Sequence, residues 1–240
     1  MSSVKKSGES RREAFLDLAE ELFGEVGYQN TSIELINSGL GVSKGAFYHH
    51  FKSKSDLLDA SLARILQRVE REATKLLEMK VPATEKLRNF VLLGSNVNSE
   101  KKSALIQIGK TLLDNANAEL LIRQRRSWRK KLVPVLAKII AQGELEEDFR
   151  LHDAQLTARV VYGILESLDE ALIHPLIGKS KDREKLSELL SVSDAYSRAI
   201  ERVLGANEKT LNLISLETIK TWVALNSNRH SHTKPGEKIW

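Results

Sequence analysis

Residues 43–54 read SKGAFYHHFKSK and gather hydrogen-bond donors with no carboxylate among them: the ammonium groups of Lys44, Lys52 and Lys54, the phenol of Tyr48 and the imidazoles of His49 and His50. Such donors suit phosphate oxygens and the acceptor edges of bases. Gly45 and Ala46 carry almost no side chain, so a helix starting here can sink into a major groove and bring backbone N–H groups towards phosphate. Lys44 can reach a base edge or a phosphate, while Phe47 and Phe51 read as core. This is the chemistry of recognition. The chain has no cysteine, no H-E-x-x-H and no phosphate loop, so nothing pairs a nucleophile with a base, and no cofactor is implied.

These residues need elements to hold them. Phe15, Leu18, Ala19, Leu22, Phe23 and Val26 recur at three- and four-residue spacing and predict an amphipathic helix that Gly27 stops. Thr31 and Glu34 form a T-x-x-E capping box for a second helix, with Ile33 and Ile36 as its buried stripe. Gly41 supplies the positive φ that ends it, Val42 fills the gap, and Ser43 caps the third helix. Ser53 with Asp56 caps a fourth. The order is helix, turn, helix. Residues 1–60 hold seven Lys or Arg against nine Asp or Glu, so charge distribution matters more than its sum. Asp17, Glu20, Glu21 and Glu25 sit on the first helix, whereas Lys5, Lys6, Arg11 and Arg12 cluster at the chain start. The segment through Ser10 is expected to be disordered, either following phosphates or a minor groove, or simply frayed.

Across residues 11–57 the chain resembles the TetR family of bacterial transcriptional regulators. The likeness rests on Gly27, Tyr28, Thr31, Ser32, Ile33, Gly41, Val42, Ser43, Lys44, Gly45, Phe47, Tyr48, His50, Phe51, Lys54 and Leu57, far more than one short motif. It departs from that pattern at Leu35, where an acidic residue is common. Gly39 lies inside the second helix, at about 1 kcal/mol relative to Ala. The expected DNA contacts are Thr31, Ser32, Ser43, Lys44, Gly45, Ala46, Tyr48, His49, His50 and Lys54. The resemblance implies a homodimer on a pseudo-palindromic operator, and a helical body whose small-molecule inducer releases the DNA.

The remaining chain is expected to be all-α, an N-terminal three-helix DNA-binding domain (1–56) joined to a helical ligand-binding and dimerisation domain (57–225), then a polar tail (226–240). Leu58, Leu62, Ile65, Leu66, Val69, Ala73 and Leu76 give a long fourth helix that Pro82 ends. Further helices are expected near 83–97, 101–117, 119–142, 153–173 and 182–204, punctuated by Asn117, Gly143, Pro175 to Gly178 and Gly205, with Pro134 starting or kinking a segment. The helices at 153–173 and 182–204 are apolar enough to fill the core or to pair with a second copy as well. A composition of 41% hydrophobic and 29% charged residues, with neither a membrane-length apolar run nor a signal-peptide start, suits a cytoplasmic protein that does not span a membrane.

Polar or aromatic residues on apolar stripes are the candidates to line the implied pocket: Asn96, Gln107, Asp114, Arg125, Trp128, Tyr162 and Glu166. The run RQRRSWRKK at 123–131 is a solvated face, a site for an anionic ligand, or a second nucleic-acid contact. Past Asn207 another helix is expected, with Leu213, Leu216, Ile219 and Val223 along one side. His230 and His232 make too small a donor set in too polar a tail for a metal site. An alternative within the same fold is a DNA binder that couples to a protein partner instead of a small molecule.

Overall fold

The computed structural model describes residues 2–93, 118–178 and 180–230, and among these every regular element is an α-helix. In chain order they are α1 (Ser2–Glu25), α2 (Ile33–Leu40), α3 (Lys44–His50), α4 (Lys54–Glu78), α5 (Ala83–Val91), α6 (Ala118–Leu145), α7 (Ala154–Ile177), α8 (Asp182–Leu204) and α9 (Leu216–His230). Two compact units emerge, one of Met1–Arg71 with Gly94–Trp128, the other of Glu72–Leu93 with Arg129–Trp240. This partition runs past the expected boundary at residue 56.

In the first unit, α1 packs on α2 and α2 on α3. Its core is Phe15, Leu16, Ala19, Phe23, Ile36, Phe47, Phe51, Leu57 and Leu58. Of the expected stripe on α1, Phe15, Ala19 and Phe23 are buried, Leu18 and Leu22 are half-buried, and Val26, just past the helix end, is exposed. Backbone helix begins at Ser2, which corrects the expectation of disorder through Ser10. Residues 2–10 contain no proline, and extending a helix already nucleated on a core costs little. Gly41 ends α2 at φ 63°, the left-handed conformation required for the turn into α3. Gly39 has a different reason: a Cβ there would meet Cδ2 of Leu18 at 2.7 Å, so its absence lets α1 and α2 approach closely.

In the second unit, α7 packs on α8, and α9 lies against both. Leu165, Leu168, Leu189 and Ile200 form this core together with Ile219, Trp222 and Val223 of α9. Leu216, expected on the buried side of α9, is exposed. Gly143 does not end a helix as expected, because α6 continues to Leu145. The glycine serves packing instead: a Cβ would lie 2.2 Å from the Phe149 ring, and Gly143 O accepts the N–H groups of Asp148 and Phe149. Pro134 and Pro175 lie inside α6 and α7. The helix expected at 101–117, and the end of the one expected at 83–97, lie outside the described residues.

Candidate nucleic-acid interface

Aromatic packing holds α3 from its inner side. Phe15 of α1 meets Phe47 edge to face at 5.7 Å and Phe51 at 6.0 Å, and all three are buried. Each such pair adds about 0.5–1.5 kcal/mol beyond the area it buries. With α3 fixed inwardly, Ser43, Lys44, Gly45, Tyr48 and His49 face outward.

The start of α2 differs from the expected capping box. Ser32 is the N-cap, its Oγ accepting the Leu35 N–H at 3.0 Å. Thr31 is fully enclosed and donates its hydroxyl to Gly27 O at 2.8 Å, which removes it from both the cap and the outer surface. Adjacent hydroxyls compete for one cap, and their spacing alone does not say which lies inside. Glu34 is thereby released from the box, and its Oε1 lies 3.6 Å from Nζ of Lys44, with both side chains exposed. Bonding to its own backbone and then the Lys44 charge, outweighing desolvation, hold the Glu34 carboxyl below its usual range.

Ser43 stands at the N-cap of α3 without making the expected side-chain cap bond, so its hydroxyl is directed to no partner in its own helix. A Cβ added to Gly45 would meet only Ser43 Oγ, at 3.8 Å. Among the described residues no packing therefore asks for glycine here. The clearance suits close approach by another molecule. Tyr48 is 50% exposed with its ring edge-on to Phe47. His50 is half-buried against Phe15. Its burial, followed by the charges of His49, Arg11 and Arg12, lowers its pKa, leaving a neutral ring at pH 7.

Lys54 is engaged within the fold. Its ammonium donates to Tyr28 O at 2.9 Å and Gln29 O at 3.4 Å and sits 4.3 Å above the Tyr28 ring, strapping the α1–α2 loop to the start of α4. Burial lowers its pKa. The expected cap of α4 is present: Ser53 Oγ accepts the Asp56 N–H, and Asp56 accepts the Lys52 N–H.

Sequence reading missed what balances the acids of α1. Arg64 pairs with Glu13, Asp17 and Glu20 at 2.7–2.9 Å, and Arg68 pairs with Glu20 at 2.8 Å. A signal was available, since Glu13, Asp17 and Glu20 share one face of α1 and Arg64 and Arg68 one face of α4. The basic run at 123–131 is partly spent in the same manner. Arg123 and Gln124 both donate to Asp59 on α4.

Of the pocket candidates, Asn96, Gln107 and Asp114 lie outside the described residues. Arg125 and Trp128 belong to the first unit, Tyr162 and Glu166 to the second. The latter two stand one turn apart on α7, where Arg129 pairs with Oε2 of Glu166. Oε1 of that carboxylate is buried without a hydrogen-bond partner. Burial, then Glu166 and Asp169, against the opposing Arg129 charge, raise the Tyr162 pKa and keep the phenol protonated. The side chains of His230 and His232 lie outside the described residues. No described helix is long and apolar enough to cross a membrane.

An exposed, donor-rich short helix after a glycine turn, on a three-helix core, defines a helix-turn-helix DNA-binding protein. Residues 15–61 match the model for bacterial regulatory proteins of the tetR family. The HTH-type transcriptional repressor KstR2 of Mycolicibacterium smegmatis is 27% identical over 155 residues, 63% of this chain and 74% of that protein. The HTH-type transcriptional regulator AcrR of Shigella flexneri is 43% identical over 54 residues, 22% of this chain and 25% of its own. A TetR-family transcriptional regulator from Pectobacterium atrosepticum has the same fold, with a TM-score of 0.64 at 20% identity over 83% of this chain and 96% of that one. By these likenesses the chain carries a DNA-binding domain of the tetR family over residues 15–61, and it is similar to transcriptional regulators of that family.

Proposed function

We propose that the protein is a homodimeric repressor that reads the two halves of a palindromic operator through α3 and is released when a small molecule binds the second unit. The observation that carries the DNA-reading part is the outer face of α3: Gly45 has no packing reason among the described residues, Ser43 makes no cap bond, and Tyr48 is half exposed. Ser32, Ser43, Lys44, Gly45, Ala46, Tyr48, His49 and His50 are the proposed contacts, with Lys54 as a strap behind them. The repressor assignment is supported by the relative from Mycolicibacterium smegmatis, which is named a repressor.

The dimer is supported by α7, on which Leu156 and Val160 lie one turn apart and are 57% and 53% exposed. Large apolar side chains repeated along one exposed helix face suit a partner helix. Ligand response is supported by Glu166, whose buried Oε1 without a partner suits a hydrogen-bond donor on a small molecule beside Tyr162. Such a ligand acts only through preference for the released state, and about 5.5 kcal/mol of preference gives a near-complete shift.

Selection of bound genomic fragments by purified protein at physiological salt tests this reading. A few palindromic sites beside promoters are the expected result and would point to the ligand through neighbouring genes. Sites dispersed without relation to promoters would overturn the inducer-released repressor in favour of a DNA binder coupled to a protein partner.

A further inference from the structure

Between Thr31 and Ser55 the sequence holds a single acid, Glu34. The structure sets it on the outer side of α2, with Oε1 3.6 Å from Lys44 Nζ on α3. Neither partner is sheltered: the side chains are 69% and 66% exposed. An exposed pair of this kind contributes little to stability. Ser32 Oγ caps the Leu35 N–H, and the hydrogen bonds that the Glu34 carboxylate accepts in the first turn, from its own N–H and from Ser32, are ones a neutral amide could accept as well. A carboxylate here opposes phosphate, and without it this surface would attract any duplex more strongly. Its cost to general DNA affinity, with little return in stability, calls for another role.

We propose that Glu34 is a specificity-determining positioning residue, drawing Lys44 away from the phosphate backbone and directing its ammonium to base edges. The proposal rests on α2 and α3 facing DNA. A lysine gives no sequence information on phosphate but does so at the O6 and N7 acceptors of guanine. Tethered to Glu34, Lys44 cannot take the nearest phosphate without also bringing a negative charge towards it. Random DNA offers no base acceptor at the right place to offset that repulsion, whereas a matching site does.

The test compares Glu34→Gln, Lys44→Met and the double variant with the wild-type protein, measuring Kd on a selected genomic fragment and on a scrambled duplex over a range of salt. Melting curves of each variant verify folding. Glu34→Gln is expected to tighten binding to scrambled DNA and to steepen its salt dependence by about 0.9 in the log–log slope, as one further phosphate is engaged. The ratio of selected to scrambled affinity should fall by about fivefold, the low end of one mismatched base pair. In the Lys44→Met background the same change should alter both duplexes alike. A ratio unchanged within about twofold, or a loss that persists undiminished in Lys44→Met, overturns the proposal while leaving the DNA-facing surface intact. Wild-type binding with no preference between the duplexes would overturn the sequence-reading assignment of that surface as well.

Discussion

At the level of single residues, exposure separates side chains with outward work from those spent inside. Tyr48 and Lys54 look alike in the sequence, as donors flanking the same helix, yet one is half exposed and the other bonds two loop carbonyls. Tyr48→Phe keeps the ring on Phe47 and should leave the unfolding free energy within about 0.5 kcal/mol, while weakening DNA binding alike on all sequences. Lys54→Ala removes a cation over a ring and its bonds to two carbonyls, and should lower the unfolding free energy by about 1–2 kcal/mol in a denaturant titration. Asn37 presents the reverse case, because its Oδ1 is buried without a partner in the core of the helix-turn-helix. Asn37→Ala should stabilise the fold by about 1 kcal/mol, since an unmet buried acceptor costs about 1–3 kcal/mol and alanine favours helix. His50 gives a pH dependence with a definite sign. Its folded pKa lies below the ordinary imidazole value of 6.5, so the unfolded chain binds the proton first. The stability that neutral His50 contributes is present above pH 6.5 and declines as pH falls through 6.5 towards the folded pKa. His50→Gln should therefore flatten the fall in unfolding midpoint measured across that window.

Among the elements, α1 to α4 were largely legible in the sequence, because each carries its own punctuation: Gly27, Gly41 and the Ser53–Asp56 box mark ends that the structure also shows. What escaped reading depended on contacts between elements. Thr31 and Ser32 are interchangeable as local capping signals, and only packing against Gly27 O buries one of them. Gly143 resembles a helix stop until Phe149, six residues later, comes to rest on it. The acids of α1 resemble a solvated face until α4 presents Arg64, whose guanidinium serves three of them. Arg64→Ala would leave Glu20, which is nearly buried, with half its ion pairs. Breaking such a pair costs about 3–5 kcal/mol when fully buried and less here, where Arg68 remains. The unfolding midpoint should fall, whereas Arg71, which has no part in that cluster, should tolerate the same change.

At the scale of the whole molecule, family likeness is strongest over residues 15–61 and thins across the body, where no short motif marks a ligand. That asymmetry has a physical origin. DNA presents the same phosphate geometry to every reader, so its contacts recur in type and spacing. A small-molecule pocket is built from side chains far apart in sequence, as Arg129 and Glu166 are. Association should depend on the exposed face of α7. Val160→Glu is expected to convert the dimer to monomers by sedimentation and to weaken operator binding by about a hundredfold or more, as one of two half-site contacts is lost. Whether α3 is the DNA-reading element is decided by operator affinity after its outer donors are removed without disturbing its core. Lys44→Ala combined with Tyr48→Phe leaves Phe15, Phe47 and Phe51 untouched and should melt like the wild-type protein. Its Kd for a selected operator should rise by about a hundredfold or more, from two lost contacts of about 1.5 kcal/mol each. A correctly folded double variant that binds within about twofold of wild type would show that α3 does not read the operator.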